Sequence, residues 1–117
     1  MDTALRQFKA EFFKALAHPS RIRIIDCLRA GELSVGDIQA SLVDEPVSAS
    51  QHLALLRSKG IVVGRKSGTS VYYRVRDPRI FNLLDLAREI FNSHLIDTQA
   101  MLIQLAEEEQ ALAAARD

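Results

Sequence analysis

Residues 47–76 read VSASQHLALLRSKGIVVGRKSGTSVYYRVR, and the spacing of their apolar side chains changes once along the way. Ala49, Leu53 and Leu56 recur at helical intervals and should face inward, and Gly60 suits the residue just past a helix end. Two short β-type runs follow, Ile61–Lys66 and Val71–Arg76, around Ser67-Gly-Thr-Ser70. In the second run Val71, Tyr73 and Val75 share one face, while Tyr72, Arg74 and Arg76 share the other. The stretch therefore predicts a helix beginning near Val47, then a β-hairpin with glycine at its tip.

Working outward, Leu5, Phe8, Phe12, Phe13 and Leu16 predict a first amphipathic helix over about residues 3–17. His18-Pro19 interrupts it, and Pro19 fits the first turn of a second helix, where its missing N–H costs nothing. That helix carries Ile22, Ile24, Ile25 and Leu28 and should stop at Ala30-Gly31. Ser34-Val-Gly-Asp37 has capping-box spacing, with Asp in place of Glu or Gln, and opens a short third helix bearing Val35, Ile38 and Leu42. Val43-Asp-Glu-Pro46 makes a turn, and a long last helix runs from about Pro78 to about residue 112.

The expected order is α-α-α-α-β-β-α, a mainly helical chain with one hairpin. Two short helices joined by a turn, followed by a basic hairpin, is the arrangement of a winged helix-turn-helix. We expect one domain over 1–117, with the helix-turn-helix at about 34–59 and the wing at about 61–76. The helices at about 3–17 and 78–112 are expected to join two copies.

Charge is distributed unevenly. The 117 residues hold 15 Lys+Arg against 15 Asp+Glu, yet Gln51–Arg79 contains Arg57, Lys59, Arg65, Lys66, Arg74, Arg76 and Arg79 against Asp77 alone. That quarter is strongly basic and could present a positive patch to a polyanion. Other classes recede. Cys27 is the only thiol, which excludes an intrachain disulfide and any multi-cysteine zinc site. No apolar run approaches the roughly 18–20 residues of a membrane span. The start, MDTALRQFKAEFF, carries Asp2 and Glu11 and does not read as a signal peptide, so we expect a cytoplasmic protein with no membrane partner. There is no Gly-rich phosphate loop, Gly-x-Ser-x-Gly elbow or His-Glu-x-x-His pair, so an enzyme is not expected.

A helix that reads the major groove must turn small and polar side chains toward base edges while the core holds its other face. Opposite Ala49, Leu53 and Leu56 lie Val47, Ser48, Gln51 and Ser58, flanked by Ser50, His52 and Ala54, and no acidic residue falls between Val47 and Gly60. Arg57 adds charge to this helix, and Arg65 and Lys66 precede the wing tip, where they suit phosphate or minor-groove contacts. A winged-helix module that pairs with a protein through its long helix is the competing reading.

The blocks FKALAHPSRIRII (13–25), SQHLALLRSKGI (50–61) and GTSVYYRV (68–75) resemble the ArsR/SmtB family of bacterial repressors in order and spacing, over about residues 8–92. The resemblance implies a homodimeric winged-helix transcriptional regulator, usually a repressor on a palindromic double-stranded DNA operator, released by an inducer. It carries groove contacts onto Ser48, Ser50, Gln51 and His52, and wing contacts onto Arg65, Lys66 and Thr69. Departures from the family pattern bear on the inducer. Arsenic-sensing members often carry a Cys-x-Cys pair where this chain has Glu32-Leu-Ser-Val-Gly-Asp37. Zinc-sensing members use an Asp-x-His pair where this chain has Asp77-Pro-Arg79, and a His-x-x-Glu pair where it has Ile90 and Ser93. DNA binding without metal and no release by arsenite are therefore expected, and the effector is unassigned.

Leu84, Ala87, Phe91, His94, Thr98, Met101 and Leu105 follow a 3-4 spacing that suits a dimer seam on the last helix, with Leu5 and Phe8 contributing from the first. His94 and Asp97 stand one turn apart and keep nickel, cobalt or zinc open as a ligand there, though no cofactor is required. Cys27 is expected as buried filler, and His18 as a cap on the second helix.

Overall fold

The computed structural model describes residues 2–42 and 48–116; the expected turn at Val43–Pro46 and the expected helix start at Val47 lie outside them. The elements are α1 (Asp2–Leu16), α2 (Pro19–Cys27), β1 (Leu33–Ser34), α3 (Val35–Ala40), α4 (Ala49–Ser58), β2 (Val62–Ser67), β3 (Ser70–Val75) and α5 (Arg79–Arg116). The chain divides into two compact units, Met1–Phe81 and Asn82–Asp117.

Local chemistry sets the helix ends in the first unit. His18 is extended (φ −151°, ψ 130°) and its Nδ1 accepts from the Ser20 backbone N–H at 3.1 Å, with Pro19 in the first turn of α2. Ser34 Oγ accepts from the Asp37 N–H at 3.2 Å at the start of α3, as its spacing predicts. At the end of α4, Gly60 takes φ +72°, its N–H donates to Arg57 O, and Ile61 N–H donates to Leu56 O, both at 3.0 Å. These two bonds form a Schellman closure, and its companion apolar pair, Leu56 and Ile61, is buried.

Ile24, Ile25, Ile38, Leu42, Leu53 and Leu56 are fully buried and form the centre of the core. Each such side chain contributes about 1.5–3 kcal/mol relative to exposure. The inward face read for α4 is borne out: Ala49, Leu53 and Leu56 all have 0% exposure.

The winged-helix reading holds, but the sheet has three strands. Leu33 and Ser34 pair antiparallel with Tyr73 and Tyr72, giving the order β1-β3-β2. The chain order is thus α-α-β-α-α-β-β-α rather than α-α-α-α-β-β-α. Two residues cannot display an alternating pattern, so this strand is specified by pairing with β3, about 40 residues away. The second helix also ends early, at Cys27 rather than Ala30, because Leu28, Arg29 and Gly31 N–H donate three residues back, to Ile25, Asp26 and Leu28 O. This tight winding replaces the last α-helical turn. The last helix starts at Arg79, one residue after Pro78, and continues to Arg116.

In the second unit every residue from Arg88 to Ala115 is exposed. A lone helix has no core of its own.

Candidate nucleic-acid interface

The exposed face of α4 is held in place by contacts its own sequence does not contain. Ser48 takes the N-cap backbone conformation (φ −68°, ψ 146°) but makes no side-chain cap bond. The Ala49 N–H instead donates to Gln39 Oε1 at 2.8 Å, on a side chain near the end of α3. That bond satisfies one of the unpaired donors that every helix start carries. It also links the start of α4 directly to α3. Ser50, Gln51, Ala54 and Arg57 are exposed, as is Ser48 just before α4. Ser58 is exposed too, but its hydroxyl donates to Leu55 O at 2.7 Å.

His52 departs from the expected groove-facing set. It is 5% exposed, and its ring stands 4.7 Å from that of His18 at 48°. A side chain screened by its own fold cannot reach a base edge, so His52 is a packing residue. Its position explains this: Ala49, His52, Leu53 and Leu56 make the i, i+3, i+4, i+7 stripe of a core-facing helix, and an imidazole has enough apolar body to join it.

The wing is a two-residue hairpin. Ser67 pairs with Ser70, and Gly68 takes φ +61° at the first central position while Thr69 does not have positive φ. This is the pattern of a type II′ turn, whose twist matches that of the flanking strands. Lys66 and Thr69 are exposed beside the turn. Gly64 lies opposite Tyr73, where a Cβ would come within 3.0 Å of Tyr73 Cε1, so the ring lies over the glycine.

Arg65 is exposed but occupied. Its Nε donates to both Glu32 carboxylate oxygens at 2.9 Å, its Nη2 donates to Oε1 at 2.6 Å, and its Cζ lies 4.9 Å from the Tyr72 ring centroid. The bonds from Arg65, with further attraction from Arg65 and Arg74, hold the Glu32 carboxyl below the ordinary carboxylate range. Lys59 lies 3.7 Å from Glu11 and Arg79 pairs with Asp77 at 2.7 Å. Lys66, next to Arg65, forms no ion pair among the described residues.

Asp77 stands where the resemblance would place a metal pair, and it serves the backbone instead. Its Oδ1 accepts from the Arg79 N–H at 3.0 Å at the start of α5. The Arg79 guanidinium and this N–H hold the carboxyl down at about 2. A depressed folded-state pKa stabilises the fold above the ordinary carboxylate range and is lost as pH falls through the folded value. The melting temperatures of the natural chain and Asp77→Asn should differ at neutral pH and converge as pH approaches about 2. A gap unchanged across that acid range would contradict the assignment.

His94 and Asp97 are exposed on α5, and among the described residues no group of three or more His, Cys, Asp or Glu could hold a metal ion. Cys27 is half-buried, its Sγ donates to Ile24 O at 2.9 Å, and burial pushes its thiol pKa up, against reactivity.

Sequence reasoning missed Gln39, Glu32 and Tyr72. Glu32 and Gln39 lie 33 and 10 residues from their partners, beyond any local spacing rule. Only the pairing of β1 with β3 brings Glu32 beside the wing.

A helix-turn-helix domain family matches residues 16–65. The uncharacterised HTH-type transcriptional regulator Rv0081 of Mycobacterium tuberculosis is 42% identical over 102 residues, spanning 86% of this chain and 90% of that protein. Its crystal structure superposes with a TM-score of 0.71, covering 80% of this chain and 94% of the other. The SmtB homologue of Synechocystis, a transcriptional repressor, is 42% identical over 77 residues, spanning 66% of this chain and 58% of the repressor. The homodimeric winged helix-turn-helix DNA-binding domain Mb0332 from Mycobacterium bovis is 34% identical with a TM-score of 0.70, covering 80% of this chain and 87% of that domain.

Proposed function

Because this chain belongs to the ArsR/SmtB family of winged helix-turn-helix transcriptional regulators, we propose that it works as a homodimeric repressor, reading a palindromic operator with α4 and gripping the backbone with the wing. The observation that carries this reading is the face of α4: Ser48, Ser50 and Gln51 exposed, with Ala49, Leu53 and Leu56 anchored in the core and Gln39 fixing the helix start. Gln51 is the base-reading candidate, since its amide can donate and accept in one plane. Arg57, Lys66 and Thr69 are assigned to the phosphate backbone, which positions a protein without carrying sequence information.

One such domain offers one recognition helix, and specific affinity is usually obtained from two half-sites about one helical turn apart. Leu5 and Phe8 on α1 are 57% and 71% exposed, and Phe91 and Leu105 on α5 are 63% and 52% exposed. These side chains, with Leu84 and His94, are assigned to pairing with a second copy. We read 1–117 as one regulator, with the helix-turn-helix at about 34–59 and the wing at about 61–76. Work on an operator places the regulator in the cytoplasm, with the DNA. Among the described residues no helix is long and apolar enough to cross a membrane.

His94 and Asp97 offer two donors per protomer, and four where they meet their copies across a dimer seam, so a nickel, cobalt or zinc ion held there is the second reading of the signal.

Two substitutions separate the groove from the wing, measured by fluorescence anisotropy on operator and scrambled duplexes. Gln51→Ala should lower discrimination among sequences by about 1–3 kcal/mol with little change on scrambled DNA. Lys66→Ala should weaken both alike and reduce the salt slope by about one for each wing in contact, about two for the dimer. Unchanged discrimination in Gln51→Ala would put the reading face elsewhere.

A further inference from the structure

We propose that Glu32 is a resident competitor for DNA phosphate, holding Arg65 so that the wing grips only a duplex able to displace the carboxylate. The inference rests on the reading of the wing as a DNA contact. Its origin is the grip itself: Nε and Nη2 of Arg65 are both engaged by Glu32 at 2.6–2.9 Å, and Tyr72 lies against the same guanidinium. A carboxylate presents two acceptor oxygens to the fork of an arginine, as a phosphate does. Glu32 therefore occupies the edge of Arg65 that a backbone phosphate would take.

Neighbouring Lys66 provides the contrast. It carries one charge and has no ion pair among the described residues, so it is available to any duplex. Arg65 shows a paired charge to a distant phosphate and becomes an additional cation only after exchange. The Arg65 side chain is 58% exposed and that of Glu32 27% exposed, so water and DNA can reach the pair. The pair is open to water on the Arg65 side, so a phosphate that offers the same two-oxygen geometry can replace the carboxylate without stranding either charge in the interior.

The consequence is selectivity. Contacts to phosphate supply nearly all non-specific binding. Keeping one wing cation neutralised lowers attachment to DNA in general. A matched site, which seats α4 and brings the wing against the backbone, can still recruit Arg65. Specificity then comes partly from penalising the wrong duplex.

The same contact admits an opposite role, with Glu32 positioning Arg65 for DNA, and the two roles predict opposite signs. The test is anisotropy of a labelled duplex of scrambled sequence across a potassium chloride series, using the full chain. Glu32→Gln should bind about three- to tenfold more tightly at low salt and steepen the log–log salt slope by about one for each wing in contact, about two for the dimer. Glu32→Ala should do the same, and circular dichroism melts of both variants check that the fold is kept. Asp26→Asn makes the same change of net charge away from the wing, at the partner of Arg29, and should gain less than about twofold. Glu32→Gln binding as the natural chain does, or more weakly, would overturn the proposal, and so would an equal gain in Asp26→Asn. Natural chain that shows no salt-dependent binding to any duplex would overturn the DNA-contact reading beneath it.

Discussion

The chain carrying Phe91→Glu and Leu105→Glu together should run as a monomer in light scattering at micromolar concentration, and its operator affinity should fall about a hundredfold or more. Both side chains are over half exposed in the single chain, so each replacement costs the isolated fold little. Paired across a dimer, the same positions would bury carboxylates in an apolar seam, and an unpaired buried charge is strongly disfavoured. Losing the second protomer removes the second half-site contact, and linked sites of this kind gain about 10²–10⁴ in apparent affinity over one alone. A double variant that stays dimeric would remove α5 from the interface. A monomer that keeps full affinity would remove the need for two half-sites.

The second large effect falls on stability and uses the same helix as recognition. Leu53 is 0% exposed in α4, so Leu53→Ala leaves a cavity in the core that α4 forms with α2 and α3. The cost of such a change is about 2–5 kcal/mol. Against a total stability of about 5–15 kcal/mol, it should lower the melting temperature by about 8–40 °C, at about 4–8 °C per kcal/mol for a unit of this size. Gln51→Ala, two residues earlier and exposed, should leave the melt within about 0.5 kcal/mol of the natural chain. Melts must be compared at one protein concentration, because dimerisation adds to apparent stability. Equal melts for the two variants would mean that α4 is not anchored through Leu53.

These two residues show how much of the molecule could be read from its sequence. Spacing alone separates Leu53 from Gln51, because a helix buries one stripe, and Gly60 marks the helix end because its backbone turns into the left-handed region. The hairpin was legible for the same reason, through alternation around Ser67–Ser70. What failed to show depends on contacts distant in sequence. β1 exists because Leu33 and Ser34 find β3, and the Glu32–Arg65 grip follows from a partner 33 residues away. His52 was misplaced by its polarity, although its position in the stripe already assigned it to the core. The candidate site was legible as a face and a charge pattern. Which of its cations is free, and what fixes the start of α4, required the fold.

That difference matters for how the regulator would work. A charge count from Gln51 to Arg79 treats Arg65 and Lys66 as equivalent wing cations. The structure makes one available and the other held, while Gln39 bonds the start of α4 to α3. Recognition then rests on a rigid reading helix and a wing whose grip is conditional.

The central claim is sequence-specific binding by a two-fold dimer through α4. It is tested most directly by letting the natural chain select from a library of random DNA duplexes and sequencing what it retains. The account predicts enrichment of a two-fold symmetric motif whose half-sites are centred about one helical turn apart. Retained duplexes no different in sequence from the starting library, at salt where binding is measurable, would contradict it.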